Sequence, residues 1–214
     1  LTLAQLGGRP AGVPELPSPP LLERWLLESP WIAMVGLVLI GLASGWFAVR
    51  AGRGKLALAF GLLGPALAAG VYAISASVMT LREELGVKGA ALIASAAEGK
   101  ADVVEPVLAT SLSLVVMGSP SNSGKAVLLR FVEQEMNGRF KLKEMSSQVM
   151  GASIEGENVA RTQHRVRVVP EFTGFPNTSW WVLQWRRSAA GEWTVIQIEA
   201  QHIDGMRPSD RAPF

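Results

Sequence analysis

The sequence has no cysteine, a single tyrosine and only two histidines in 214 residues. Lacking cysteine, it has no disulfide, no thiol nucleophile and no zinc–thiolate site. Such a chain is compatible with an oxidising compartment, where a stray thiol is a liability. Tyr72, His164 and His202 are the whole supply of those two residue types, so acid–base chemistry has few carriers. Charge is locally scarce as well. Residues 31–79 carry only Arg50, Arg53 and Lys55, and charge resumes at Arg82. A basic domain is also missing. From Leu81 onward there are 15 Lys/Arg and 15 Asp/Glu, so the pI of 9.2 reflects the N-terminal part. Nucleic acid, which selects a basic face, is not the expected partner.

What is present begins with two apolar runs. Residues 31–49 and 56–79 are free of charge. At about 1.5 Å per residue they reach about 28 and 36 Å, enough for a hydrocarbon core of about 30 Å, the second with some tilt. A chain of this length has no core large enough to surround two all-apolar helices, so a transmembrane hairpin is predicted. Gly41 with Gly45, and Ala66 with Gly70, place small residues at four-residue spacing, which lets two backbones approach closely. Ser29-Pro30 reads as an N-cap and first-turn proline. Residues 21–28 form either an interfacial helix, with Trp25 and Trp31 as belt residues, or a loop. Residues 8–20 are a Pro-rich extended linker. Residues 1–5, LTLAQ, read as the remnant of an export signal.

The basic residues of the six-residue turn outnumber those of the opposite flanks, Arg24 and Arg82. By the positive-inside tendency the turn is cytoplasmic and both termini lie outside. The expected organisation is a tail (1–30), a transmembrane hairpin (31–79), an α+β domain (80–206) and a second tail (207–214). Placement is a two-pass inner (cytoplasmic) membrane protein with its domain on the periplasmic side.

Beyond Thr80 helices come first and strands second. A helix over 81–97, interrupted at Gly86 and Gly89, precedes a short helix over 101–108 and a strand over 111–117. Ser123 is the expected N-cap of a helix over 124–137, with Val127, Leu128, Phe131, Val132 and Met136 in one stripe. Strands follow over 140–150, 157–169, 179–187 and 192–203. Alternation turns Val166, Val168, Trp181, Leu183, Trp185, Ile196 and Ile198 toward the helices. Arg161, Gln163, Arg165, Arg167, Gln184, Arg186, Gln197 and Glu199 fall on the other face. Three helices packed on a curved antiparallel sheet give an α+β class.

AAEGKADVVEPVLA (96–109) and the closing hairpin WWVLQWRRSAAGEWTVIQIEAQ (180–201) carry a resemblance. With the order helix–helix–strand–helix–four strands over about residues 81–204, the chain resembles the nuclear transport factor two-like superfamily. Its cystatin-like cone is also used by ketosteroid isomerase and scytalone dehydratase. The resemblance implies a cone enclosing a pocket, with Asp, Tyr and His on the wall in the enzymes of the family. Ketosteroid isomerase needs an Asp base and a Tyr-containing oxyanion hole. Here Tyr72 falls in the membrane segment, and Asp102, Asp204 and Asp210 lie at the helix–helix step and the tail. The isomerase constellation is not matched.

His164 is the one catalytic candidate, and a structural histidine is the expected alternative. The hairpin spacing aligns His164 with Trp185 and Val195, placing His202 about 20 Å away, too far for a shared metal or proton relay. GSPSNSGK (118–125) imitates a phosphate loop, but five residues separate its glycines and Ala126 stands where Ser or Thr binds magnesium. No nucleotide, metal or other cofactor is expected. Arg161, Arg165 and Arg167 form a basic row, flanked by Trp180 and Trp193, for a protein partner, a second copy or lipid headgroups. Salt bridges with cross-strand acids such as Glu199 are the plainer use of the row. The expected function is a membrane-tethered binding domain, an accessory subunit of a membrane complex. The alternative is a small-molecule isomerase, dehydratase or hydrolase using the cone.

Overall fold

The structure, a computed structural model, describes residues 9–10, 12–18, 30–77, 79–121 and 123–205. The predicted N-cap Ser29, the segment 21–28 with Trp25, LTLAQ and the tail from residue 206 fall outside the described residues. The chain divides into two compact units, one spanning Ser18–Leu81 and one joining residues 9–17 to residues 82–205.

The first unit is a helical hairpin. Helix α1 (Pro30–Arg50) and helix α2 (Gly54–Ser77) are linked by a tight turn in which Gly52 takes a φ of +72°. Both are long and apolar enough to cross a membrane, at mean hydropathies of 2.2 and 1.9, and few of their residues are buried. Leu39, Ile40, Phe47, Leu58, Leu62 and Ile74 are all exposed. Only the seam between the helices is closed. A Cβ on Gly41 would stand 2.9 Å from Gly64 Cα, and one on Gly45 would stand 3.1 Å from the Ala57 carbonyl. The small-residue seam predicted for α1 is therefore present. On α2 it runs through Gly64 and Ala68, both buried, whereas Ala66 and Gly70 are exposed. A period of 3.6 leaves several small-residue stripes on such a helix, and packing selects one of them.

In the second unit, helix α3 (Leu81–Ala97) leads to a short α4 (Ala101–Val104), a 3-10 turn (Glu105–Val107) and strand β1 (Leu108–Val116). A three-residue β2 (Ser119–Ser121) folds back on β1, so GSPSNSGK contributes an edge hairpin. Helix α5 (Lys125–Arg130) continues into a π-turn (Phe131–Glu135). Its N-cap is Gly124, with no side-chain bond, and not Ser123. The wider π-turn advances the stripe, so Val132 is fully buried, Phe131 is half-buried against Phe140, and Val127 is exposed.

Strands β3 (Leu142–Ile154), β4 (Val159–Pro170), β5 (Asn177–Arg187) and β6 (Trp193–Ile203) complete a six-stranded sheet in the order β2-β1-β6-β5-β4-β3. Neighbours are antiparallel except β1 and β6, which run parallel and make the sheet mixed. Helix–helix–strand–helix–four strands, the order the resemblance implies, is the order found, with the short β2 added between β1 and α5. The core on the helix side is built by Leu85, Leu92, Val104, Val132, Leu183, Trp185 and Val195.

Bulges decide the faces of β6. Trp185 pairs with Val195 and Gln184 with Gln197, leaving Ile196 over; Trp181 pairs with Ala200 and Trp180 with His202, leaving Gln201 over. Val195 therefore takes the core position expected of Ile196 and is fully buried. Each extra residue inverts the alternation beyond it.

Candidate functional site

Two places concentrate polar side chains among apolar ones: the interior of the cone, and the sheet face that points away from the helices.

Thr162 and His164 lie on the helix side of β4, and Trp185 is their neighbour on β5. All three are fully buried. The Trp185 indole N–H donates to Thr162 Oγ1 at 3.0 Å, and Thr162 Oγ1 shares a 2.9 Å bond with His164 Nε2. His164 Nδ1 is buried with no partner among the described residues. Burial pushes the imidazole down to about 4, because a charged ring loses its hydration there and gains no carboxylate in return. The ring is therefore neutral near pH 7, and with α3 packed over it none of it is accessible from outside.

His164 pairs with Trp181, not with Trp185, and Trp181 pairs with Ala200. The register expected for the hairpin was therefore four residues off along β5. His202 is close along the sheet but, beyond the Gln201 bulge, belongs to the opposite face, with its Nε2 3.1 Å from Asp204 Oδ1. The two histidines are separated by the sheet itself. No group of three or more His, Asp or Glu side chains could hold a metal among the described residues. A cleft of about 560 Å³ opens outside the filled interior, between α3 and the edge strand β3. Ala90, Ala94, Met136, Leu142 and Met145 line it, and Glu98, Lys141, Lys143 and Glu144 rim it.

The outward face holds the basic row. Arg161, Gln163, Arg165 and Arg167 alternate along β4 beside Gln184, Val182, Trp180 and Thr178 of β5. Arg161 pairs with Glu155 at 3.4 Å, so its neutralising acid comes from the β3–β4 turn and not from Glu199. Arg165 and Arg167 have no ion pair among the described residues, and Arg167 is exposed. Trp193 pairs with Arg187 and so belongs to the helix side, away from the row.

Trp180 is not exposed: it is 1% accessible. The cover is the chain's own Pro-rich segment, residues 9–17. The Arg9 guanidinium lies 5.6 Å from the Trp180 ring centroid and donates to Gln163 Oε1 at 3.1 Å. Gln163 Nε2 donates to the Pro14 carbonyl at 3.0 Å and to Gln201 Oε1 at 2.7 Å. Val13 is buried, and Arg9 also reaches Glu15 at 3.6 Å. The segment is not extended throughout: it turns at Gly12, at a φ of +93°, with the Val13 N–H on the Pro10 carbonyl at 3.3 Å, and it is packed as a strap on the sheet. Thr162 was legible in the sequence as a residue of the same strand face as His164. Gln163 was placed on the outward face, but nothing local marks it or Arg9 as partners 154 positions apart.

No protein-family model and no curated protein matches this sequence. Among solved structures, the chain is similar to a domain of unknown function with a cystatin-like fold from Nostoc punctiforme. That likeness has 12% identity, covers 57% of this chain and 78% of the other, and has a TM-score of 0.47. A nuclear transport factor two-like protein with a cystatin-like fold from Novosphingobium aromaticivorans is 19% identical over 55% and 80%, at 0.43. A ketosteroid isomerase-like protein from Erwinia carotovora atroseptica is 16% identical over 56% and 96%, at 0.44. These likenesses concern the fold.

Proposed function

We propose that this chain is a membrane-tethered binding module whose soluble unit does no chemistry inside its cone. The observation that carries the reading is the filled interior. Trp185, Thr162, His164 and Leu183 occupy the place a substrate would need, and none is more than 2% accessible. The tether rests on two helices whose exposed apolar surface finds no cover among the described residues; lipid is the solvent that suits such a surface. The Arg50–Lys55 cluster supports a cytoplasmic turn and a periplasmic domain in the inner membrane. Arg165 and Arg167, basic and without an ion pair among the described residues, suit an acidic surface on another subunit of a membrane complex.

The test joins topology to docking. Protease added to intact spheroplasts is expected to digest the chain beyond Met79 and spare the turn. In the same membranes, reversing Arg165 and Arg167 to Glu is expected to lower cross-linking to the partner subunit several-fold. His164→Gln is expected to leave it unchanged. A domain protected from protease, or cross-linking indifferent to the reversal, would sink the reading. A turnover lost specifically in His164→Gln would instead establish the isomerase, dehydratase or hydrolase alternative.

A further inference from the structure

The turn between β4 and β5, residues 171–176, carries two phenylalanines where turns ordinarily carry polar side chains. Phe172 is 66% accessible and Phe175 is 78% accessible. A lone exposed phenylalanine is ordinary. These two share one turn and together expose on the order of 300 Å² of apolar surface, the size of patch that often marks a contact site.

The turn is held in place before any partner arrives. The Gly174 N–H donates to the Pro170 carbonyl at 2.9 Å, with Gly174 at a φ of +68°, and the Glu171 N–H donates to the Lys141 carbonyl at 2.9 Å. The Phe172 ring stands edge-on to Phe140 at 6.4 Å between centroids, and Phe140 packs on Phe131 at 5.7 Å. A ladder of rings therefore runs from the half-buried Phe131 out to the tip. Aromatic side chains fixed in this way lose little entropy on docking, which suits them as anchors.

Bases surround the tip. Arg139 lies over the Phe140 ring at 5.4 Å, and Lys143 is exposed where β3 begins. Arg167 pairs with Thr178, one rung before the last β4–β5 pair, Val168 with Asn177, so the row of Arg165 and Arg167 leads up to the turn. In the turn and the strand ends beside it, Glu171 pairs with Lys141 at 3.3 Å and Asp204 Oδ1 lies 3.1 Å from His202 Nε2. Glu144 is the only acid there without an ion pair among the described residues, against four such bases. The tip alone falls short of the roughly 800 Å² that each side of a stable interface contributes. Tip and row together form one continuous surface, apolar at its end and basic along its flank.

The position of the turn decides between protein and lipid as its occupant. The chain arriving from α2 enters this unit at Leu81, the first residue of α3. Ala94, Ala97 and Glu98, near the other end of α3, line one cleft with Lys141 and Leu142 beside the turn. A helix of 17 residues separates its two ends by about 25 Å. The strap reaches β3 at Gly151, where Leu16 lies, about 30 Å along the strand from Leu142. Both chain connections thus meet the unit far from the tip, where another protein and not the bilayer is the accessible partner.

We propose that Phe172 and Phe175 anchor the docking surface whose charged part is Arg165 and Arg167, and that its partner is a protein face with an apolar pocket ringed by Asp and Glu. Buried aromatic anchors supply affinity, while opposite charges around them guide approach and fix register. The inference rests on the binding reading and gives the partner's chemistry. The two fail separately. Charge reversal at Arg165 and Arg167 reads out the row, and photo-crosslinking at the turn reads out the tip.

The test uses the full chain in its own membrane. Benzoylphenylalanine, a photo-crosslinking residue, replaces Phe172 or Phe175, and replaces the exposed Val127 on α5 as the control. Irradiation of intact cells is expected to give a protein adduct of one discrete mass from either turn position and none from 127. The captured peptide, read by mass spectrometry, is expected to adjoin Asp or Glu. Arg165→Glu with Arg167→Glu is expected to lower the yield about tenfold. Phe175→Ser, at a position too exposed to disturb the fold, is expected to lower the adduct from position 172 several-fold. Adducts with phospholipid alone would assign the tip to a bilayer and overturn the proposal. So would an adduct with a second copy of the chain, an equal adduct from 127, a yield indifferent to Phe175→Ser, or no adduct at all. If the tip gives no adduct while charge reversal still weakens partner cross-linking, this proposal falls and the binding reading stands.

Discussion

Gly89 on α3 lies against the imidazole of His164 on β4: a Cβ at position 89 would overlap Nε2 and stand 2.8 Å from Cε1 and 3.2 Å from Leu183 Cδ1. The helix expected to break at Gly86 and Gly89 is continuous, and both glycines face the sheet. They let the helix backbone come down onto Val149, His164 and Leu183. Gly89 keeps the cone shut.

Gly89→Ala tests that seating. Alanine improves helix propensity by about 1 kcal/mol, whereas an extra methyl forced into a packed core costs about 1–3 kcal/mol. Here the overlapped ring is fully buried, so the cost is expected to win and unfolding in denaturant to shift toward lower stability. A stabilised variant would show that α3 does not rest on His164.

The buried imidazole sets a pH dependence. Its folded pKa, about 4, lies below the ordinary 6.5 of the unfolded chain. A depressed pKa means that the unfolded chain binds the proton more readily. The stabilisation is therefore complete above pH 6.5 and is lost as pH falls from 6.5 toward 4. At about 1.4 kcal/mol per pH unit the loss is of order 3 kcal/mol. His164→Gln is expected to flatten the stability profile between pH 6.5 and 5, where carboxylates have little influence. An unchanged slope in that variant would mean that another group is responsible.

Trp185 supplies both bulk and a hydrogen bond. Trp185→Ala is expected to cost about 3–5 kcal/mol through lost burial and a cavity. Trp185→Phe keeps much of the bulk but removes the donor to Thr162 Oγ1, for a cost of about 1–2 kcal/mol plus some lost volume. If equilibrium unfolding shows the two variants equally destabilised, the indole N–H would be the whole contribution.

The helical hairpin separates two classes of small residue. Gly64→Leu places a side chain where a Cβ already meets the Leu37 carbonyl at 2.8 Å, and is expected to part the helices and lower the thermal midpoint in detergent. Gly70→Leu, with nothing within 4 Å of its Cβ, is expected to leave the midpoint nearly unchanged. A larger drop for Gly70→Leu than for Gly64→Leu would place the seam on the other stripe.

The sequence by itself determined the elements and their order. Apolar run length marked α1 and α2, and alternation marked β3 to β6 and put Trp185 and Leu183 inside, because these signals need only neighbours along the chain. The tertiary structure alone decided which residues meet. A single extra residue at Ile196 and another at Gln201 set the faces of β6, and sequence spacing carries no local mark of such a bulge. They put Val195 in the core and His202 on the far side from His164. The fate of Trp180 was equally hidden: its exposure depended on a Pro-rich segment about 170 positions away. Whether that segment drifts as a linker or docks as a strap is decided by Gln163 and Trp180 lying ready on one face, a coincidence of position that exists only once the sheet has formed.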